Sequence, residues 1–402
     1  MAIRDNVSRT VLLCFLVALC EGIDLQAAGV AAAGIRLQFH PDSQSLSYFF
    51  SASTFGLFIG AIVGGRLADR YGRKTVLTAA IAIFGLFSLL NPLAWDMDSM
   101  ISARFLTGLG LGGALPNLIS IGSESAAAHH RSATVTIIYA GLPLGGVLAS
   151  LISLATSVAH WRWVFIAGGM VPLAVAPAIG IWLQESEAFC RLRASRRGKA
   201  DGGLGALAFL REGGVVRTLL LWLSFFLALL TLYLLLNWLP TLLSSSGLDK
   251  PQVAICMIGF NLGGCLSTLY IGSHLDTQQR HQVVVMTFGG MPVLLALLAA
   301  TLHHALIVAG MVFALGAAVV AAQAVLYAFA PLCYPTRSRG TGVGFAVAMG
   351  RIGSIAGPLL GGVLVGSGRS TAQVLTGILP IVVVGAICAV VLAWRQPSVQ
   401  PD

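Results

Sequence analysis

Apolar residues in this chain gather in runs of about twenty, separated by short polar interruptions. A helix rising ~1.5 Å per residue needs a run of that length to cross a ~30 Å hydrocarbon core. In lipid every backbone donor and acceptor must be satisfied within its own segment, so repeated runs predict helices. Twelve spans follow, at about 11–36, 46–68, 75–95, 99–122, 132–157, 163–183, 217–243, 251–273, 281–301, 305–329, 340–366 and 373–394. The longest polar stretch, from about Glu185 to Gly214, contains RLRASRRGK and divides the spans into two sets of six. The prediction is an all-α membrane protein with a six-helix bundle over 1–187, a basic cytoplasmic linker over 188–214 and a second bundle over 215–402.

Composition agrees. Of 402 residues, 57% are hydrophobic and 10% charged, against roughly a quarter charged in soluble domains. The net charge of +9 would suit nucleic acid if it formed a patch, but it is spread by topology. With the N-terminus inside, the cytoplasmic segments collect most of the Lys and Arg, and the opposite side has only Arg36, Arg162, Lys250 and Arg369. The positive-inside rule then puts both termini in the cytoplasm. The first apolar run is too long for a signal-peptide core, and carboxylates interrupt it, so it reads as an uncleaved span. Seven scattered cysteines without a CxxC support neither a disulfide framework nor a metal site. The His129–His130 and His303–His304 pairs lack helical ligand spacing and read as solvated loop residues. No soluble catalytic domain is left over.

Against this background the ionisable residues inside spans stand out, because such groups are costly in lipid and usually face a pathway. Glu21 and Asp24 lie at i and i+3 in CEGIDLQAAG, on one face of the first span. They are read as the proton-coupling pair, with a static ion pair as the alternative. Arg104 lies about a turn below the outer surface on a span running opposite to the first. It can pair with Asp24 or snorkel to outer headgroups. Arg351 falls near mid-bilayer, where snorkelling is difficult, and suits bidentate capture of a carboxylate; a permanent pair with Glu21 is the alternative. Tyr233 with Asn237, and Gln323 with Tyr327, repeat an i, i+4 spacing on the seventh and tenth spans. Together with Asn117 and Tyr139 they are candidates for substrate contacts, or for helix–helix hydrogen bonds.

The two halves echo each other. GRLADRYGR at 65–73 aligns with GSHLDTQQR at 272–280, and RSAT at 131–134 with RGTG at 339–342. In the first loop, Gly64 and Gly65 would permit close helix approach, Asp69 can accept hydrogen bonds at a helix N-terminus, and Arg70, Arg73 and Lys74 can grip carboxylates or phosphates. GGRLADRYGRK at 64–74 resembles the signature loop of the major facilitator superfamily. RFLTGLGLGG at 104–113, GLPLGG at 141–146 and WLQESEAF at 182–189 resemble further motifs of the same superfamily, with Gln184 in place of a proline. EGIDLQAAG, NWLPTLL, YPTRSRGTGVG and MGRIGSIAGPL are similar to segments of its aromatic acid:proton symporters.

That resemblance implies two six-helix bundles around a central cavity, working by alternating access. It implies a monomeric symporter whose partners are a small aromatic acid, protons and the lipid bilayer of a bacterial inner membrane, with no cofactor beyond the coupling ion. Gating would fall to Gly65, Asp69, Arg70, Arg73 and Lys74, to the degenerate second loop with Asp276 and Arg280, and to Glu124, Arg131, Arg337 and Arg339 at inner helix ends. A proton-driven exporter of the same fold, and a non-transporting membrane sensor, remain as alternatives.

Overall fold

A computed structural model describes residues 2–125, 131–183, 185, 214–274, 280–334 and 339–395. Nearly all of the predicted linker lies outside these residues, as do Asp276 and Arg337. The side chains of Asp69, Asn117, Glu124, Arg131, Arg280 and Arg339 also lie outside the described part.

Twelve long helices are present among the described residues. In chain order they are α1 (Ala2–Phe39), α2 (Ser43–Tyr71), α3 (Arg73–Leu90), α4 (Met97–Ser125), α5 (Arg131–Ala155), α6 (Arg162–Trp182), α7 (Val215–Ser245), α8 (Lys250–His274), α9 (Arg280–Ala300), α10 (Ala305–Phe329), α11 (Arg339–Gly366) and α12 (Thr371–Trp394). Every predicted span coincides with one of them. All except α4 contain a described stretch long and apolar enough to cross a membrane. The sequence-predicted spans stop short of several helix ends, because α-helix continues past the hydrocarbon into the interface; α1, for instance, begins well before residue 11.

Local chemistry fixes the helix ends. Asp42 accepts a 2.8 Å hydrogen bond from the Ser45 backbone N–H and so caps α2. The Ser45 hydroxyl, and after it this Ser45 N–H, holds the Asp42 carboxyl below its ordinary range. Between α2 and α3 the chain turns at Gly72 with φ of 100°, a left-handed region open to glycine at no steric cost. Ser370 and Gln373 form a reciprocal capping box at the start of α12.

The helices fall into two units, Met1–Ala200 and Asp201–Asp402. Within the first, α1 packs on α5, α2 on α4 and α3 on α6. Within the second, α7 packs on α11, α8 on α10 and α9 on α12. The pairing scheme is thus repeated with an offset of six helices, as expected of parallel repeats. Small residues make the contacts close. A Cβ at Gly22 of α1 would collide with the Leu142 carbonyl oxygen of α5, and one at Gly353 of α11 with the Phe226 carbonyl oxygen of α7. Gly64 likewise meets Gly113 of α4, but a Cβ at Gly65 would meet no described atom within 4 Å. The expectation that both glycines serve close approach is corrected here. Adjacent positions point about 100° apart on a helix, so only one of the two can face α4.

Candidate functional site: a buried ion pair and a second arginine cluster

In the first unit the apolar interior is interrupted where α1, α2, α4 and α6 meet. Glu21 and Asp24 are each 1% exposed on α1, and Arg104 of α4 is 2% exposed. The Arg104 Nη1 donates to Asp24 Oδ1 at 2.7 Å, and Nη2 to the Asp24 backbone carbonyl at 3.4 Å. Of the two sequence alternatives for Arg104, pairing is therefore the one adopted, and snorkelling is not.

The surroundings of this pair were not anticipated. The Arg104 guanidinium carbon lies 5.7 Å from the ring centroid of Phe49 on α2 and 5.7 Å from that of Phe165 on α6. The two rings meet edge to face at 76°, their centroids 6.5 Å apart, and form a corner around the cation. Desolvated cation–π contacts are worth about 2 kcal/mol or more. Trp161 packs edge-on against Phe165 and extends the aromatic cluster outward. Ser53 of α2 faces the Asp24 carboxylate without closing a well-aligned hydrogen bond. Close backbone approach places these groups. Gly108, one turn beyond Arg104, brings α4 against the Ser53 carbonyl, and Gly22 brings α1 against α5 between the two acids. Glu21 sits within the same buried face, one turn before Asp24.

In the second unit, Arg351 of α11 is half-buried and donates to the Tyr233 hydroxyl of α7 at 3.3 Å. Asn237, one turn after Tyr233, turns its amide back to the Tyr233 carbonyl at 2.7 Å. Tyr327 of α10 makes an edge-to-face contact with Phe225 of α7, centroids 5.3 Å apart. Arg351, Tyr233, Asn237 and Tyr327 are therefore linked through α7. Gln323 is half-buried a turn before Tyr327, and Tyr139 of the first unit is half-buried on α5. Trp238 is fully buried and donates to the Pro358 carbonyl at 2.8 Å, a helix-packing role.

At the loop expected to act in gating, the start of α3 is held by Glu185. Its carboxylate accepts from the Arg73 N–H at 2.9 Å and from the Lys74 N–H at 3.2 Å. An anion at a helix N-terminus satisfies orphan donors and the helix dipole together. Arg70 stacks on the neighbouring Tyr71 ring at 5.2 Å. Glu185 was visible in WLQESEAF, but nothing in that segment said that its partner is the backbone of α3. No cluster of metal-binding side chains occurs among the described residues.

Comparison with known proteins places the chain as a whole. The sequence pattern of the Major Facilitator Superfamily is matched over residues 14–291 and, overlapping them, 221–402. The chain is 42% identical to the 3-(3-hydroxy-phenyl)propionate transporter of Escherichia coli strain K12, over 98% of this chain and 95% of that protein. It is 33% identical to the 4-hydroxybenzoate transporter PcaK of Pseudomonas putida, over 92% of this chain and 89% of the relative. Among solved structures, a D-xylose-proton symporter superimposes with a TM-score of 0.79 at 16% identity, covering 98% of both chains. That likeness is one of fold.

Proposed function

The chain belongs to the Major Facilitator Superfamily, and from that premise we propose that it imports an aromatic carboxylate together with protons. The cargo is 3-(3-hydroxyphenyl)propionate or a close analogue. The observation that carries this reading is the near full-length likeness to the E. coli transporter of that acid, and PcaK, the second relative, is named for another hydroxylated aromatic acid. The protein is a multi-pass membrane transporter and not an enzyme. It works as a monomer in the bacterial inner membrane with both termini in the cytoplasm.

An anion moving inward works against a negative interior at ~2.3 kcal/mol per charge per 100 mV. One accompanying proton cancels that charge, and a second adds the membrane potential as a driving force. Glu21 and Asp24 carry the coupling, with Arg104 engaged by Asp24 and Glu21 left to exchange its proton with the pathway. Arg351 receives the substrate carboxylate. Tyr233, Asn237, Gln323, Tyr327, Asn117 and Tyr139 frame the aromatic ring. Asp69 and its basic neighbours, with Glu124, Arg131, Asp276, Arg280, Arg337 and Arg339, act in gating.

Proteoliposomes holding the purified chain under an imposed inward proton gradient test this. Labelled 3-(3-hydroxyphenyl)propionate is expected to accumulate above equilibrium, and uptake indifferent to the gradient overturns symport.

A further inference from the structure

We propose that Phe49 and Phe165 are positioning residues that keep Arg104 committed to Asp24 throughout transport, so that this arginine never turns to the substrate carboxylate. The inference rests on the proton-coupled reading above and adds two residues, one on α2 and one on α6, to which that reading gives no role.

The geometry supplies the argument. Both Nη atoms of Arg104 are directed at Asp24, one to its carboxylate and one to its backbone. The Nε–H finds no acceptor among the described residues. The guanidinium carbon lies at equal distances from two ring centroids, in the corner the rings make. Phe49 and Phe165 are both fully buried, so neither ring can swing aside without displacing its neighbours. A guanidinium in this corner has its charge met by one carboxylate and by two electron-rich ring faces. A second anion approaching from the ring side meets the same negative faces and is repelled. The corner thus closes Arg104 to the substrate.

Ring electronics can be separated from ring size. Phe165, and separately Phe49, is replaced by mono-, di- and trifluorinated phenylalanine, which weakens the ring face progressively while nearly preserving shape. Thermal unfolding of the purified protein is followed along each series, together with gradient-driven uptake and counterflow of labelled 3-(3-hydroxyphenyl)propionate at equal pH on both sides. The expected result is a midpoint that falls step by step with fluorination, and gradient-driven uptake several-fold lower in the trifluoro variant while counterflow changes less than twofold. Phe165→Leu should resemble the trifluoro variant in uptake. A midpoint indifferent to fluorination overturns the cation-holding role. Gradient-driven uptake and counterflow falling together overturn the role in coupling. If wild-type uptake itself ignores the proton gradient, the symport reading fails, and the unfolding series still decides whether the rings hold Arg104.

Discussion

Arg104 and Asp24, eighty positions apart in the chain, meet at 2.7 Å where both side chains are excluded from solvent. Removing one member of such a pair leaves an uncompensated buried charge, at a cost of about 3–5 kcal/mol, whereas removing both is far milder. Arg104→Gln and Asp24→Asn are each expected to lower the thermal midpoint in detergent sharply, and the double variant to recover most of the loss. A double variant as unstable as the sum of its parts would show that the two groups are not energetically coupled.

The contrast between glycines supplies a second test. Gly22→Ala forces a methyl group into the Leu142 carbonyl, and overpacking of this kind costs about 1–3 kcal/mol. It is expected to reduce both the folded yield and uptake, because α1 must move away from α5 between the two acids. Gly65→Ala, with no described atom within 4 Å of its Cβ position, should leave stability unchanged or raise it by up to about 1 kcal/mol, the helix-propensity gain of alanine over glycine. Thermal unfolding of the two variants side by side checks both statements.

Glu185 predicts an effect of capping at long range in sequence. Glu185→Ala removes the acceptor for two backbone donors of α3, and loss of a helix cap costs about 0.5–2 kcal/mol. Glu185→Gln keeps an acceptor oxygen without the charge and should retain much of that stability. Equal losses in the two variants would mean that the negative charge, and not the hydrogen bonds, stabilises the helix start.

For the second arginine the expected signature is kinetic. Arg351→Lys keeps the charge but not the planar fork, so the KM for an aromatic carboxylate should rise about tenfold or more, matching the ~1.5–3 kcal/mol of a hydrogen bond to a charged group. Tyr233→Phe, which removes the 3.3 Å contact to Arg351, should produce a smaller rise. Concentration-dependent uptake in vesicles measures both.

The positions of the helices were legible because hydrocarbon imposes one rule on every span. The partnership of Asp24 with Arg104 was also open to sequence reasoning, since each could be placed at a similar depth on antiparallel spans. The ring corner was not. In an apolar run, a phenylalanine that covers a cation looks the same as one that faces lipid, and only packing distinguishes Phe49 and Phe165 from Phe55 or Phe313. Gly64 and Gly65 make the same point within one dipeptide, where helix rotation decides which of them meets α4. In the second unit, the i, i+4 spacing found Tyr233 and Asn237 but not the direction of the Asn237 amide, which turns to its own helix. Spacing selects a face, and packing then decides whether a hydrogen bond stays within the helix, as at Asn237, or crosses to another, as at Arg351.

The Glu185 clamp also ties the chain to the first unit beyond its last helix. Helix α6 stops at Trp182, yet the chain is still tied to that unit three residues later through α3. If the protein is produced as two co-expressed halves, a break after Glu185 keeps the start of α3 sealed, and one directly after Trp182 leaves it open. What must be kept with the first half therefore includes a hydrogen bond beyond the last turn of its last helix.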